Sequence, residues 1–130
     1  MSSPAAPVSD NNLDKNANPL AASTVPQLVQ WAAKQFGTNT FLEEGETRLS
    51  FQDFAQQAQQ VAAAIMAKGI QKGDRIGVWA PNISEWVIAA LGAQCAGAVL
   101  VTLNTRYKGS EAAYILRKSR SRLLFSIGDF

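Results

Sequence analysis

From residue 75 onward the chain alternates short apolar runs with longer segments of helical character: 75–79, 98–103 and 123–126 read as strands, 83–96 and 110–119 as helices. Strands joined through a helix pair in parallel, the crossover is right-handed almost without exception, and such a sheet has to be covered by helices. The expected fold class is therefore α/β, an incomplete layered domain with a parallel strand-helix-strand-helix-strand core. One face of the helix over 83–96 is mostly Ala and Gly, so its axis can lie close to the sheet. Asn82 and Glu85 are expected to cap it.

The stretch ahead of this core reads as a helix, a short hairpin and a long amphipathic helix. Thr24 as a cap and Pro26 in the first turn start a helix that aligns Leu28, Trp31, Ala32 and Phe36 and that Gly37 ends. Residues 40–44 and 47–49 flank Gly45 as a hairpin. Ser50 with Asp53 makes a capping arrangement ahead of Phe51, Phe54, Ala55, Ala58, Val61, Ala62 and Ile65. Their spacing of three and four puts them on one face as far as Gly69. Residues 1–23, rich in Ala, Asn, Ser and Pro without apolar periodicity, read as a disordered N-terminal extension and as neither a signal nor a transit peptide. Residues 24–130 are left as one compact unit.

Composition excludes several classes. The chain has 130 residues, 47% of them hydrophobic, which suits one core. Its net charge of +2 is too mild, and the six Lys or Arg against two acids over 101–130 too local, for a nucleic-acid partner. A single cysteine, Cys95, rules out an intrachain disulfide and fits a reducing, cytoplasmic setting. Histidine is absent, which removes the commonest general base and the commonest metal ligand together. Residues 86–103 have Gln94 and Thr102 as their plainly polar positions and invite comparison with a membrane span. Gly92, Gln94 and Gly97 interrupt the run, and 99–101 is strand-like, so a helix-to-strand junction is expected there and no membrane span.

Chemical motifs are conspicuous by their absence. The spacing of Gly92 and Gly97 suggests a phosphate loop, but Ala98-Val99 follows where Lys-Ser would be needed. Glu43, Glu44 and Glu46 sit on a turn, where a solvated hairpin is the plainer reading than acid-base work in a cleft. Cys95, on an apolar helix with no histidine to activate it, reads as a core residue. Arg117, Lys118, Arg120 and Arg122 fit a helix C-terminus and a loop in water, with phosphate binding as the alternative. Trp31, Trp79 and Trp86 fall on apolar faces and are expected in the core, with base stacking as the alternative. No catalytic, cofactor-binding or metal-ligating residue is expected in this segment.

Five motifs occur in series: Leu49-Ser50-Phe51, Gly73-Asp74-Arg75-Ile76, Pro81-Asn82, Ala96-Gly97-Ala98 and Asn104-Thr105-Arg106. Together they make residues 24–130 resemble the N-terminal segment of an AMP-forming acyl-CoA synthetase, of the adenylate-forming, AMP-binding enzyme superfamily. The resemblance implies a partial N-terminal domain of a ligase of fatty acid metabolism. That family uses ATP, magnesium and coenzyme A to turn a carboxylic acid into an acyl adenylate, with release of pyrophosphate, and then into an acyl-CoA, with release of AMP. The family's Ser/Thr/Gly-rich loop ending in lysine, its metal-holding acid, its ribose-binding aspartate and its C-terminal lysine have no matching positions here. The 130-residue chain is therefore expected to be catalytically incompetent alone, with the loop 104–107 facing the coenzyme A side. Its expected partner is the remainder of the synthetase or a second copy of itself. The alternative is a stand-alone, non-catalytic α/β module that binds a protein through an uncovered sheet edge.

Overall fold

A computed structural model describes residues 22–128. The extension expected over 1–23 lies, apart from Ala22 and Ser23, outside the described residues. By their contacts the described residues fall into two compact units, which divide after Gln57. Each gathers apolar side chains of its own.

In the first unit, helix α1 (Val25–Phe36) starts at Thr24, whose hydroxyl accepts the Gln27 N–H at 3.3 Å, and stops at Gly37. Its inward face differs from the expected one: Val29 is buried and Leu28 is 45% exposed. The two are adjacent on the helix, and the packing of Trp31 edge-on against Phe36, centroids 5.6 Å apart, goes with the choice of Val29. Strands β1 (Thr40–Glu44) and β2 (Thr47–Ser50) form the expected antiparallel hairpin around Gly45. Glu43 pairs with Arg48 across it at 3.4 Å. Helix α2 (Phe51–Ala67) begins where the Ser50 hydroxyl accepts the Asp53 N–H at 3.0 Å. Phe41 meets Phe51 and Phe54 at centroid distances of 5.0 and 4.4 Å, and Phe36 meets Phe51 at 4.9 Å. These ring contacts are the interior of this unit.

The second unit holds the rest of α2 from Ala58, then β3 (Arg75–Trp79), α3 (Ser84–Cys95), β4 (Val99–Thr102), α4 (Gly109–Ser119) and β5 (Ser121–Ser126). The three strands are parallel, as the alternation predicts, in the order β4-β3-β5. The chain thus steps from the central strand to one neighbour and crosses back to the other. One face of the sheet packs Ile76 with Ile65, Ile70, Ala93 and Ala98. The other packs Trp79 and Leu103 with Ala112, Ile115 and Leu116 of α4. Gly92 permits a close approach of α3 to α2, since a β-carbon there would lie 2.5 Å from Val61 Cγ1 and 2.6 Å from Val61 Cβ.

Two details depart from expectation. Asn82 does not cap α3: Ile83 occupies the cap position without a side-chain hydrogen bond. The Ile83 N–H instead turns back to the Pro81 carbonyl at 2.8 Å, which leaves Asn82 exposed and ahead of the helix. Strand β5 begins at Ser121, earlier than the apolar run, because Ser121 already stands opposite Arg75 in the ladder. The run 86–103 is divided between α3 and β4 by Gly97, whose φ of +79° only glycine adopts without strain. Among the described residues no helix is long and apolar enough to cross a membrane.

Candidate functional site

Parallel strands bring their following loops to one edge, and ligands of open α/β sheets sit in crevices outside the strands' carboxyl ends. At that edge of β3 and β4 a polar cleft of about 510 Å³ is lined by Asn82, Trp86, Thr102, Asn104, Thr105 and Tyr107. Beside it, between the ends of β3 and β5, a smaller apolar hollow of about 90 Å³ is lined by Ile83, Trp86, Ala89, Phe125 and Ile127 among others. Trp86 lines both, half-buried at the start of α3, and so differs from the core residue expected. Its neighbourhood, just after Pro81-Asn82, was the signal available.

The cleft's floor is held by one residue. The Asn104 carbonyl accepts the Trp79 indole N–H at 3.1 Å and the Tyr107 N–H at 3.0 Å. Its side-chain oxygen accepts the Arg106 N–H at 2.9 Å, an Asx-turn that folds the loop back on itself. The Leu103 N–H donates to the Val78 carbonyl at 3.0 Å, which ties the loop to the central strand. Trp79 itself is buried, as expected, while Trp31 is half-buried in the first unit. Arg106, exposed, sits on this loop between the cleft-lining Thr105 and Tyr107. Its guanidinium, carried on a loop that these backbone hydrogen bonds hold in place, suits an anionic group.

The remaining candidates lie elsewhere. Arg75 and Asp74 form a clasp at the opposite, amino-terminal edge of the sheet. Arg75 Nε donates to the Ser119 carbonyl at 2.7 Å, Nη1 to Gly73 at 3.1 Å and Nη2 to Arg120 at 3.4 Å. The Asp74 carboxylate accepts the Gln71 N–H at 2.7 Å and the Arg122 guanidinium at 3.0 Å. The Gln71 hydrogen bond first, and the charges of Arg122 and Arg75 after it, hold this carboxyl below its ordinary range against some desolvation. Arg122, expected on a loop in water, is thus on β5 and paired. Arg117 and Lys118 stand in the last turn of α4, as the helix dipole favours. Glu43, Glu44 and Glu46 are exposed on the hairpin. Cys95 is half-buried, and burial pushes its thiol up, away from the reactive thiolate.

Magnesium and nucleotide can be tested against these residues. Among the described residues no three acids, cysteines or histidines converge. Gly92 is packed under Val61 and Gly97 turns beside Lys72, so neither offers a backbone cradle to phosphate. The residues described here do not fit magnesium-ATP.

A parallel sheet of this order, with a crossover helix on each face, defines a doubly wound α/β module. The model of the AMP-binding enzyme family matches residues 29–129, and the chain belongs to that family. It is similar to a methyl-dioxo-octahydro-indenyl propanoyl:CoA ligase of Rhodococcus jostii, 39% identical over 83% of this chain and 21% of that protein. It is also similar to the mitochondrial medium-chain acyl-CoA ligase ACSF2 of Danio rerio, 36% identical over 79% of this chain and 17% of the relative. Among solved structures, the N-terminal domain of FACL13 from Mycobacterium tuberculosis superposes with a TM-score of 0.75 at 28% identity, over 79% of this chain and 26% of that one. The chain thus spans about a fifth of the length of the curated relatives it matches.

Proposed function

We propose that this chain supplies the N-terminal part of an ATP-dependent acyl-CoA synthetase, and that the 130 residues do not catalyse the reaction alone. In that reaction a carboxylate oxygen attacks the α-phosphorus of ATP, pyrophosphate leaves, and the thiol of coenzyme A then attacks the acyl carbon and expels AMP. Bringing an anionic carboxylate to an anionic phosphate requires cationic and hydrogen-bonding groups that this segment does not assemble. The part of this chain is to shape one wall. The Asn104 turn holds Arg106 at the carboxyl edge of the sheet, where it meets an anionic portion of coenzyme A. The observation that carries the reading is that Asn82, Asn104 and Thr105, which belong to two of the family-like motifs, line one cleft in a chain whose residues 29–129 match the family. The relatives act on a medium-chain acyl group and on a ring-bearing propanoyl group, so an apolar carboxylic acid, as in fatty acid metabolism, is the substrate class inferred. A cytoplasmic setting belongs to the same reading.

The test is a graft. This chain replaces the matching fifth of the Rhodococcus ligase, and carboxylate-dependent exchange of pyrophosphate into ATP is measured for the graft and for the isolated chain. Exchange by the graft, none by the chain, and a raised KM for coenzyme A in the Arg106→Ala graft are expected. A folded graft without exchange, or exchange by the chain alone, refutes the reading.

A further inference from the structure

The cations of the second unit gather at the edge opposite the cleft. All three strands begin there, with Arg75 in register with Val99 and Ser121. Lys68 follows the end of α2, Lys72 lies beside Gly97, and Arg117, Lys118 and Arg120 come where α4 runs into β5. All five are exposed. Asp74, the acid of this edge, is already engaged by Arg122. Helix C-termini favour nearby cations and account for those at the ends of α2 and α4, one at a time. They do not account for two large apolar side chains at the same edge. Met66, in the last turn of α2, is 54% exposed, and Val99, the first residue of β4, is 49% exposed.

We propose that this edge is a docking surface for a bilayer rich in anionic lipid headgroups, an inference independent of the ligase reading. Long cationic side chains lie along such a surface with their stems against its apolar boundary, and exposed Met66 and Val99 enter that boundary, adding apolar burial to the charge attraction. A phosphodiester polymer would leave these two side chains without a partner. An acidic protein is the poorer fit, because it would have to offer shaped pockets for Met66 and Val99 as well as charge, whereas a bilayer boundary takes both side chains without one.

The test is co-sedimentation of the full chain with vesicles of phosphatidylcholine alone or with about a third phosphatidylserine, at low and high salt. Binding to the anionic vesicles, weakened by salt, is expected. Each cation removed should cut partition by about fivefold, so Lys68→Gln/Lys72→Gln/Lys118→Gln loses about a hundredfold. Gln56→Glu/Gln59→Glu/Gln60→Glu changes net charge equally on the exposed face of α2 and should bind within about twofold of the parent, since its charges lie away from the edge. Circular dichroism checks that both variants fold. Equal binding to neutral vesicles, equal losses in the two triple variants, or preference for duplex DNA or an acidic protein over vesicles would each overturn the proposal.

Discussion

Gly92→Ala sets two effects against each other and so decides whether α2 and α3 approach as closely as described. In an exposed helix interior the change stabilises by about 1 kcal/mol, because alanine restricts the unfolded backbone. Here the new β-carbon would stand 2.6 Å from Val61 Cβ, 2.5 Å from Val61 Cγ1 and 3.1 Å from the Ala58 carbonyl oxygen. Carbon atoms rest at about 3.5–4.0 Å, so α3 has to retreat by roughly 1 Å and loosen its contacts with α2. Forced overpacking costs about 1–3 kcal/mol, and the upper part applies because the colliding atoms are at or next to backbone. Subtracting the propensity gain leaves a net loss of about 2 kcal/mol, or roughly 10 °C in Tm for a unit of this size. Thermal and urea unfolding followed by circular dichroism read this directly. Val61→Ala should not rescue, since its own β-carbon is half of the collision, whereas Val61→Gly should recover part of the loss. A Gly92→Ala chain as stable as the parent, or more so, would refute the close approach.

Gly97→Val should destabilise by about 2–3 kcal/mol because a β-branched residue opposes the left-handed backbone, while Glu46→Gln on the hairpin turn changes stability by less than about 0.5 kcal/mol; equal urea midpoints would refute the junction. The Asp74 carboxyl is held lower in the folded chain than in the unfolded one, so its contribution is present above the ordinary carboxylate range and is lost as pH falls through the folded value. Asp74→Asn should flatten the acid limb of the stability–pH curve, and an unchanged slope below about pH 4 would reject the clasp. Leu123, Leu124, Phe125 and Ile127 are only half-buried beside an edge strand, so the isolated chain should bind a hydrophobic dye and self-associate in sedimentation velocity. A monomer that takes up no dye would refute this.

What the sequence makes legible here is what short-range chemistry controls. The limits of β3, the hairpin about Gly45 and the inward face of α2 follow from alternation, turn residues and helical spacing, and the left-handed glycine at 97 follows from its place between two elements. Parallel pairing follows from crossover length, but the order β4-β3-β5 does not, because a helix of that size can return its strand to either side. Long-range partners were out of reach. Arg122 finds Asp74 from 48 residues away, and the Trp79 indole finds a carbonyl 25 residues on. Leu28 and Val29 are equally apolar neighbours, and which one turns inward is a tertiary choice. The Asx-turn at Asn104 is a local motif, yet its use as the floor of a cleft depends on strand order.

The central place of β3 also bears on how the second unit assembles during synthesis. Arg75 meets Val99 after 24 residues of chain and Ser121 after 46. Closing the longer loop costs only about 0.4–0.6 kcal/mol more than the shorter one, too little to impose a sequence of events. The ribosome imposes it instead, since at about 5–20 residues per second β4 emerges a second or more before β5. For that interval one side of β3, with Gly77 and Val78 in its middle, has its hydrogen-bonding groups open to any extended segment nearby. A pause in translation after β4 has emerged and before β5 has would lengthen this exposure, and holding the nascent chain there should make it a substrate for chaperones that bind unpaired strands.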